Sequence, residues 1–506
     1  MRSVDRFLKR GPREDDGPDR GSVDSYGWAL LRRWGEDGSD GLVARRSGGL
    51  VVSATAGSHA VVVGAGMAGL LAARVLADHF DRVTVLDRDR LPDGPTMRAG
   101  VPQGRHLHTL LPGGLDLTAA QFPGIVEELI AGGAVGMRFG QDLVVHRPGG
   151  RSYLVAVDRS EPLVTGISYL SMSRGLLEHT VRARLRQRTD VEVRDRAVVR
   201  GPLSEGGAVC GVVLEGGEQV HADLVVDAAG RAGRSLGWLD GLGAAQPEVS
   251  VVRCDFAYSS AILRPADADA LAGGGMLVLP DPASATPTRG GYVTPIEGGL
   301  WIAGLGGRSG DYPPTGPAAW RAFGRTLSTP EWDRLVGTAE VVDGPTAFRY
   351  PSSVRRHFER LDRFPDGLLA IGDAACHANP LYGHGMSAAA GQARVLDQVL
   401  DDRERRGGDP TGMAHEFFVG IHEVTRAPWA LAAGSDFLSA GTTGDFPDEE
   451  FENLLRFVEL GKSVDADADA ASLFVDLFTL RRPWSVLESS PWRERLSPQL
   501  TGIPAT

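Results

Sequence analysis

The pattern of apolar and polar positions predicts a strand, a helix and a second strand close to residue 60. The run at 59–64 is apolar and rich in valine, which is typical of a strand buried within a parallel sheet. Residues 70–78 combine small and apolar side chains and predict a helix, and residues 83–87 predict a second strand that ends in Asp87. This order of elements indicates a strand–helix–strand unit.

Glycines occupy the connection between the first strand and the helix in a G-x-G-x-x-G pattern. The first glycine makes a tight turn, the second lets the backbone approach a pyrophosphate, and the third lets the helix pack against the strand. The helix N-terminus adds free N–H groups, and Asp87 stands where an acid binds a ribose 2′-OH, which favours FAD or NAD over NADP. The pattern therefore assigns dinucleotide binding to Gly64, Gly66, Met67, Ala68, Gly69, Asp87 and Arg88.

Two later segments repeat the pattern of a buried strand followed by a glycine turn. Residues 222–231 include Asp227 and Arg231, and residues 367–374 include Gly372 and Asp373. Because the second segment lies about 300 residues after the glycine fingerprint, we expect a nucleotide domain built from discontinuous segments, with another domain inserted.

The inserted region and the C-terminal region have different patterns. Residues 250–350 alternate between apolar and polar positions and predict an antiparallel sheet. Residues 451–487 carry apolar side chains at helical spacing, which predicts a core or a lid. A membrane-surface or dimer face is the alternative for these helices, so a homodimer stays open.

Composition and charge exclude several classes of protein. A formal net charge of -12 argues against a non-specific nucleic-acid binder, which needs basic residues to neutralise phosphates. Cysteine occurs 3 times, too rarely for a disulfide scaffold, and the spacing indicates no zinc site, so we predict a reducing, cytoplasmic setting and no metal. Residues 1–58 are polar and predict a flexible leader, or an upstream start, without a signal peptide. No transmembrane segment is predicted.

The motifs together resemble the FAD-dependent monooxygenases of the para-hydroxybenzoate hydroxylase fold. The resemblance rests on the glycine fingerprint, on 227–231 and on the Gly372-Asp373 motif with Pro380 and 383–386. Residues 98–108, 173–177, 292–301 and 428–429 are similar to the bacterial polyketide-tailoring branch, which includes polyether epoxidases. The similarity extends over about 59–429.

The resemblance implies an α/β fold with a Rossmann-like FAD-binding domain, an inserted antiparallel-sheet substrate domain and a helical C-terminal region. The expected division of the chain is 1–58, flexible leader; 59–165, first FAD segment with a loop insertion; 166–249, second FAD segment; 250–350, substrate domain; 351–405, closing FAD segment; 406–506, helical C-terminal region.

The resemblance also assigns FAD contacts outside the glycine fingerprint. The Asp373 carboxylate would contact the ribityl or pyrophosphate region, or would cap a helix that opens at Ala374. Backbone N–H groups of the turn at Gly383, Gly385 and Met386 would lie near the flavin pyrimidine ring. Arg174 would face the cofactor from a helix start, or be a solvated helix arginine, and Arg98 and Gln103 would contact isoalloxazine or substrate.

Four other polar residues near these motifs have alternative expected roles. Asp227 would shape its turn, hold Arg231 or touch the flavin. His106 and His108 are expected to anchor their loop rather than bind metal. His384 would lie near the flavin or be exposed in a loop.

The activity that the resemblance implies is oxygen insertion into a polyketide or similar apolar natural-product intermediate. Reduced FAD would react with O2 to form a C4a-hydroperoxide, with electrons from NAD(P)H or a partner flavin reductase, in a dry cavity provided by the protein. The catalytic residues are unknown; because no base can be identified, epoxidation is favoured over hydroxylation.

Two rival activities stay open at this stage. The same polyketide-tailoring branch also resembles FAD-containing cyclases that catalyse a non-redox [4+2] cycloaddition in spirotetronate assembly. In those cyclases FAD has a structural role and takes part in no redox step. A flavin reductase that saturates prenyl chains has less support.

Overall fold

The computed structural model describes residues 56–496, except 139–141, 148–149, 153–167, 268, 272–273, 282–284, 409, 438, 440, 445–447 and 465–466. The predicted leader at 1–58 therefore lies almost entirely outside the described residues. Within them, no helix combines the length and the apolar character that a membrane span requires.

The strands are found in four sheets and are numbered in chain order. They are β1 (Gly57–Val63), β2 (Phe80–Leu86), β3 (Val135–Arg138), β4 (Leu143–Arg147), β5 (Gly150–Ser152), β6 (Ser168–Ser171), β7 (Val191–Arg194), β8 (Val199–Glu205), β9 (Ala208–Leu214), β10 (Gln219–His221), β11 (Leu224–Asp227), β12 (Val249–Arg264), β13 (Gly275–Val278), β14 (Gly290–Ile296), β15 (Leu300–Arg308), β16 (Glu340–Arg356), β17 (Leu368–Ala370), β18 (Cys376–His377) and β19 (Thr443–Gly444).

The helices are numbered in the same way, and short 3₁₀ turns link several elements. The α-helices are α1 (Met67–Leu76), α2 (Pro112–Gln121), α3 (Ile125–Ala131), α4 (Arg174–Arg186), α5 (Ser235–Gly241), α6 (Pro317–Gly324), α7 (Glu331–Val336), α8 (Gly385–Arg405), α9 (Ala414–Trp429), α10 (Ser435–Phe437), α11 (Asp448–Ser463), α12 (Ala468–Phe478) and α13 (Trp492–Arg495).

The first sheet is parallel and joins distant parts of the chain in the order β17-β11-β1-β2-β7. Ala60 and Val62 of β1 pack toward α1 and α8, while Val61 and Val63 pack toward the small antiparallel sheet β8–β10 on the opposite face. Burial on both faces explains why β1 is a continuous apolar run, since each fully buried valine contributes about 1.5–3 kcal/mol. The predicted Rossmann-like domain of discontinuous segments is confirmed.

The second sheet has the order β18-β16-β12-β15-β14-β13-β4-β5, with β19 paired to β12. The long strands β12, β15 and β16 form antiparallel ladders, as the alternating pattern predicts, whereas β13 and β4 run parallel. Strands β4 and β5, which the sequence analysis placed with the first FAD segment, therefore extend this sheet instead. One face of the sheet packs under α6 and α7, where Trp301, Trp320 and Trp332 are buried.

The predicted helical tail forms its own core beside the two sheets. Leu454, Leu473 and Leu477 are buried with Trp484, and the Phe457 ring stacks on that indole with centroids 5.3 Å apart. The apolar stripe is thus mostly core within the described residues, although Val458 is 43% exposed. The tail is not one continuous helix. A new helix, α12, begins after its N-cap Asp467, whose side chain accepts hydrogen bonds from N–H groups in the first turn of α12.

Candidate functional site

One cleft lies between the carboxyl ends of the parallel strands and the second sheet. Its lining follows β1, β2, β11 and β17, and the opposite wall comes from β12 and β16. Ligands of doubly wound sheets bind outside the carboxyl ends of the strands. The predicted site residues that line this cleft are Gly64, Gly66, Met67, Ala68, Asp87, Arg88, Arg98, Gln103, Arg174, Asp373, Gly383, Gly385 and Met386.

The three fingerprint glycines meet three different steric requirements. Gly64 has a φ of 111°, and a Cβ there would lie 2.5 Å from the Ala228 carbonyl oxygen. Gly69 does not line the cleft; a Cβ on it would lie 1.8 Å from the Gly64 oxygen, so its role is close helix–strand packing. A Cβ on Gly66 would meet no protein atom within 4 Å and would project into the cleft, which leaves room for a ligand backbone.

Two helix N-termini open onto the cleft. The first turn of α1, after its N-cap Gly66, has neither a capping side chain nor an acidic residue. The same holds for α8 after its N-cap His384. The first N–H groups of both helices lack intrahelical partners, and each helix end carries a partial positive charge. The N–H groups at the start of α1 can therefore bind the phosphates of a dinucleotide, and those at the start of α8 can bind the electron-rich edge of a ring.

Asp87 connects the glycine loop to the loop that follows β2. Its carboxylate accepts a 2.7 Å hydrogen bond from the Ala65 N–H and a 2.8 Å hydrogen bond from the Asp89 N–H. It also forms a 3.1 Å ion pair with Arg98. Asp87 therefore holds the glycine loop and the loop that follows β2, and its predicted contact with a ribose stays a prediction.

Arg98 and Arg174 meet at a buried carboxylate that the sequence analysis missed. Glu178 lies 3.2 Å from Arg98 Nε and 2.6 Å from Arg174 Nη2. Burial alone would raise the pKa of Glu178, but the two guanidinium groups outweigh burial and lower it. Arg174 is only 8% exposed, so it is not a solvated helix arginine. The pairing of Arg174 and Glu178 four residues apart on α4 was the available sequence signal.

Asp373 does not cap a helix. It lies inside a 3₁₀ turn, Gly372–Ala374, and the next long helix, α8, begins at Gly385. Its half-buried carboxylate has no hydrogen-bond partner in the part of the chain that the structure describes. Burial raises the pKa of Asp373, and the nearby Arg231 opposes that shift. An unpaired carboxylate facing the cleft fits a ligand hydroxyl as its partner.

Asp227 shapes the turn that follows β11. It is fully buried and accepts hydrogen bonds from the N–H groups of Ala229, Arg234 and Ser235 at 3.1, 2.6 and 2.8 Å. It forms no bond with Arg231, contrary to one of the roles considered above. The Arg231 guanidinium instead lies over the Tyr350 ring, with Cζ 5.0 Å from the ring centroid.

Aromatic side chains of the second sheet form the opposite wall of the cleft. Tyr258 and Phe348 have ring centroids 5.5 Å apart, and the Tyr350 hydroxyl is hydrogen-bonded to His377 Nδ1 at 2.8 Å. Burial lowers the pKa of His377 to about 3, so this imidazole is neutral near pH 7. Residues 291–305 of the same sheet do not line the cleft, because Trp301 and its neighbours pack under α6 and α7.

His106 anchors its loop to the second sheet, as expected, whereas His108 lines the cleft and is hydrogen-bonded to the His106 carbonyl oxygen of its own loop, at 3.1 Å. His106 Nδ1 lies 2.7 Å from Ser260 Oγ, which is 2.7 Å from the Tyr292 hydroxyl, and that hydroxyl accepts a hydrogen bond from the Leu107 N–H. Burial lowers the pKa of His106 to about 4 and that of His108 to about 3.

His384 is neither exposed nor part of the cleft lining. It is 4% exposed, and its Nε2 lies 2.9 Å from the Phe478 carbonyl oxygen at the end of α12. The C-terminal region thereby holds the turn from which α8 begins.

Two clusters of histidines and carboxylates lie outside the cleft. His79 contacts Glu404 at 2.7 Å and Asp397 at 3.1 Å, which ties the end of α1 to α8. His357 and His422 share the Glu359 carboxylate. Among the described residues, the groups whose geometry could hold a metal ion are His79 with Asp401 and Glu404, and His357 with Glu359 and His422; neither includes a predicted site residue.

Comparison with known proteins gives one curated relative with close similarity over most of the chain. Protein Rv3254 of Mycobacterium tuberculosis is 31% identical over 391 residues, which cover 75% of this chain and 80% of that protein. No family model matches the sequence.

Several solved structures share the fold at lower sequence identity. Flavin-dependent brominase Bmp2 has a TM-score of 0.59 and 16% identity, covering 84% of this chain and 93% of its own. Klebsiella pneumoniae HpxO, solved with FAD and uric acid, has a TM-score of 0.58 and 18% identity, covering 84% and 97%. PqsL of Pseudomonas aeruginosa, a probable FAD-dependent monooxygenase, has a TM-score of 0.53 and 17% identity, covering 83% and 100%. The chain therefore belongs to the family of Protein Rv3254 and has the fold of FAD-dependent oxidoreductases of the para-hydroxybenzoate hydroxylase type.

Proposed function

We propose that the protein is an FAD-dependent monooxygenase, an epoxidase or hydroxylase, that acts on a polyketide or similar apolar natural-product intermediate. The observation that carries this proposal is the composition of the cleft. Two uncapped helix N-termini and the unpaired carboxylate of Asp373 stand on one side, and a wall of aromatic rings stands on the other. A redox cofactor and an apolar substrate would share this space.

The residues of the Rossmann-like domain that line the cleft fit FAD as the ligand. The N–H groups that follow Gly66 would bind its pyrophosphate, and Asp373 would accept hydrogen bonds from its ribityl hydroxyls. The N–H groups of Gly385 and Met386 would stabilise negative charge on the flavin pyrimidine ring. When bound and reduced, FAD would supply the activation of O2.

The second sheet would hold the substrate and exclude water. Tyr258, Phe348 and Tyr350 offer flat apolar surfaces on the wall opposite the α1 N-terminus. The described histidines of the lining, His108 and His377, are weak bases because burial lowers the pKa of each to about 3. Weak bases favour epoxidation of an alkene over hydroxylation of a phenol, which requires removal of a proton.

The source of electrons and the cellular setting are also proposals. We assign electron supply to NAD(P)H or to a partner flavin reductase, because a second dinucleotide fingerprint is not evident in the sequence. The cysteines are unpaired, which supports the predicted reducing, cytoplasmic environment.

Isotope incorporation tests the reaction class. The FAD-loaded protein is incubated with NADPH, a general flavin reductase, a linear conjugated polyene as probe, and 18O2. We expect product that carries one atom of 18O, and no product without oxygen. An isomeric product of unchanged mass that forms anaerobically with oxidised FAD would contradict the proposal and favour the non-redox cyclase.

A further inference from the structure

Arg231 is a cation of the cleft that has no role in the proposed binding of FAD. It lies in the 3₁₀ turn Gly230–Ala232, and the buried carboxylate of Asp227 fixes the backbone before and after this turn. Its side chain is exposed to the cleft. Within the described residues, its guanidinium makes no ion pair and no hydrogen bond.

Aromatic rings orient the guanidinium of Arg231. Its Cζ lies 5.0 Å from the ring centroid of Tyr350 and 5.9 Å from that of Phe348. Such cation–π contacts attract a guanidinium to the face of an aromatic ring without using its hydrogen-bond donors. The N–H groups of a guanidinium form a planar fork that matches both oxygens of a carboxylate. Arg231 is thus held in place while its donors stay available.

The position of Arg231 favours a substrate group over the cofactor as its partner. The phosphates of FAD already have the N–H groups at the start of α1, which follow the glycine loop. The guanidinium of Arg231 instead contacts aromatic rings of β16, and these rings belong to the wall that the proposed function assigns to the substrate. Asp373 is close enough to influence Arg231 electrostatically, yet the two side chains do not form an ion pair.

We propose that Arg231 selects a substrate that carries a carboxylate attached to a planar conjugated or aromatic system. The carboxylate would bind to the N–H fork of Arg231, and the conjugated system would pack on Phe348 and Tyr258. This inference rests on the proposed function, because the proposed function has FAD bound on the opposite side of the cleft.

A pair of isosteric probes tests this selectivity. Binding of 2-naphthoate and of its neutral counterpart 2-naphthamide to the FAD-loaded protein is measured by equilibrium dialysis, which does not depend on the flavin signal. Because a charge-assisted bidentate contact is lost with the amide, we expect naphthoate to bind about ten-fold or more tightly. Arg231→Gln should abolish the difference, and Arg231→Lys, which keeps the charge but lacks the fork, should retain part of it.

The matched control is Arg349→Gln. Arg349 lies between Phe348 and Tyr350 on the same strand, but it faces away from the cleft and pairs with Asp255 at 2.9 Å. This variant has the same change in net charge and should keep the full preference for naphthoate.

Three results would overturn the proposal. The first is a wild-type protein that binds the two probes equally or binds neither of them. The second is a preference that survives in Arg231→Gln, and the third is an Arg231→Gln protein that loses FAD, which would make Arg231 a cofactor anchor. A protein that prefers naphthoate but takes up no FAD would instead contradict the proposed function and leave this selectivity in place.

Discussion

The carboxylate of Asp87, at the end of the second strand, accepts a 2.7 Å hydrogen bond from the backbone N–H of Ala65 inside the glycine loop. Asp87 also pairs with the buried Arg98. The residue expected to recognise a ribose thus also sets the conformation of the loop expected to bind the pyrophosphate. Cofactor affinity and loop stability should therefore respond together to a change at this position.

Asp87→Ala is expected to weaken FAD binding and to destabilise the protein without FAD. The variant leaves the Ala65 N–H without its acceptor and removes one carboxylate from Arg98, which corresponds to a loss of about 1–3 kcal/mol in the free energy of unfolding. Urea denaturation and FAD titration measure the two effects. Asp87→Asn should recover part of the stability, because its amide oxygen can still accept from Ala65. Wild-type stability in the alanine variant would show that the loop does not depend on Asp87.

Asp373→Ala is expected to weaken FAD binding by about 10- to 150-fold, the effect of losing a hydrogen bond to a charged group. The free energy of unfolding without FAD should change little, since no described residue is hydrogen-bonded to this carboxylate. Calorimetric titration with FAD measures the affinity. Asp362→Ala, at an exposed position outside the cleft, is the control. Unchanged FAD affinity in the Asp373 variant would remove this residue from the cofactor site.

The elements that carry a local signal were predictable from the sequence. The glycine loop, α1 and the acid at position 87 form one continuous stretch, and α1 begins within three residues of its expected start. Local spacing and burial on both sheet faces determine these elements, so the sequence pattern contains the information.

The parts of the site that were missed depend on long-range packing. Phe348 and Tyr350 reach the cleft because β16 pairs with β12, which sets Phe348 opposite Tyr258 and Tyr350 opposite Phe256, and the alternating pattern does not reveal this pairing. The orientation of His384 is decided by the Phe478 carbonyl, 94 residues away. Of the roles considered for Asp227, the structure shows the shaping of its turn and no pairing with Arg231, because backbone N–H groups occupy the carboxylate.

The stability of the protein should fall as the pH rises above neutrality, in part because of His79. Burial alone would lower the pKa of His79, but its hydrogen bonds to Asp397 and Glu404 outweigh burial and raise the pKa above the ordinary value of 6.5. A raised pKa in the folded state means that the stabilisation is complete below pH 6.5 and is lost as the pH passes through the higher folded value.

Urea denaturation between pH 5.5 and pH 9 measures this dependence. We expect the decrease in stability with pH to be smaller in His79→Asn than in the wild-type protein. His415→Asn, at an exposed position, should retain the wild-type slope. Parallel pH profiles for wild type and His79→Asn would show that this cluster does not titrate in the expected range.

Binding of FAD at the glycine loop is the central claim, and Gly66→Val tests it most directly. Gly66 has an ordinary φ of -77°, and an added Cβ would meet no protein atom within 4 Å, so the variant should fold with a wild-type thermal midpoint in the absence of FAD. Its side chain would occupy the space of the pyrophosphate. Gly94→Val, at a similarly open position outside the cleft, is the control.

The decisive measurement is the amount of FAD released from each purified protein on denaturation. We predict equimolar FAD from the wild-type protein and from Gly94→Val, and none from a folded Gly66→Val protein. Equimolar FAD in Gly66→Val, or a colourless wild-type protein that gives no heat on titration with FAD, would contradict the account.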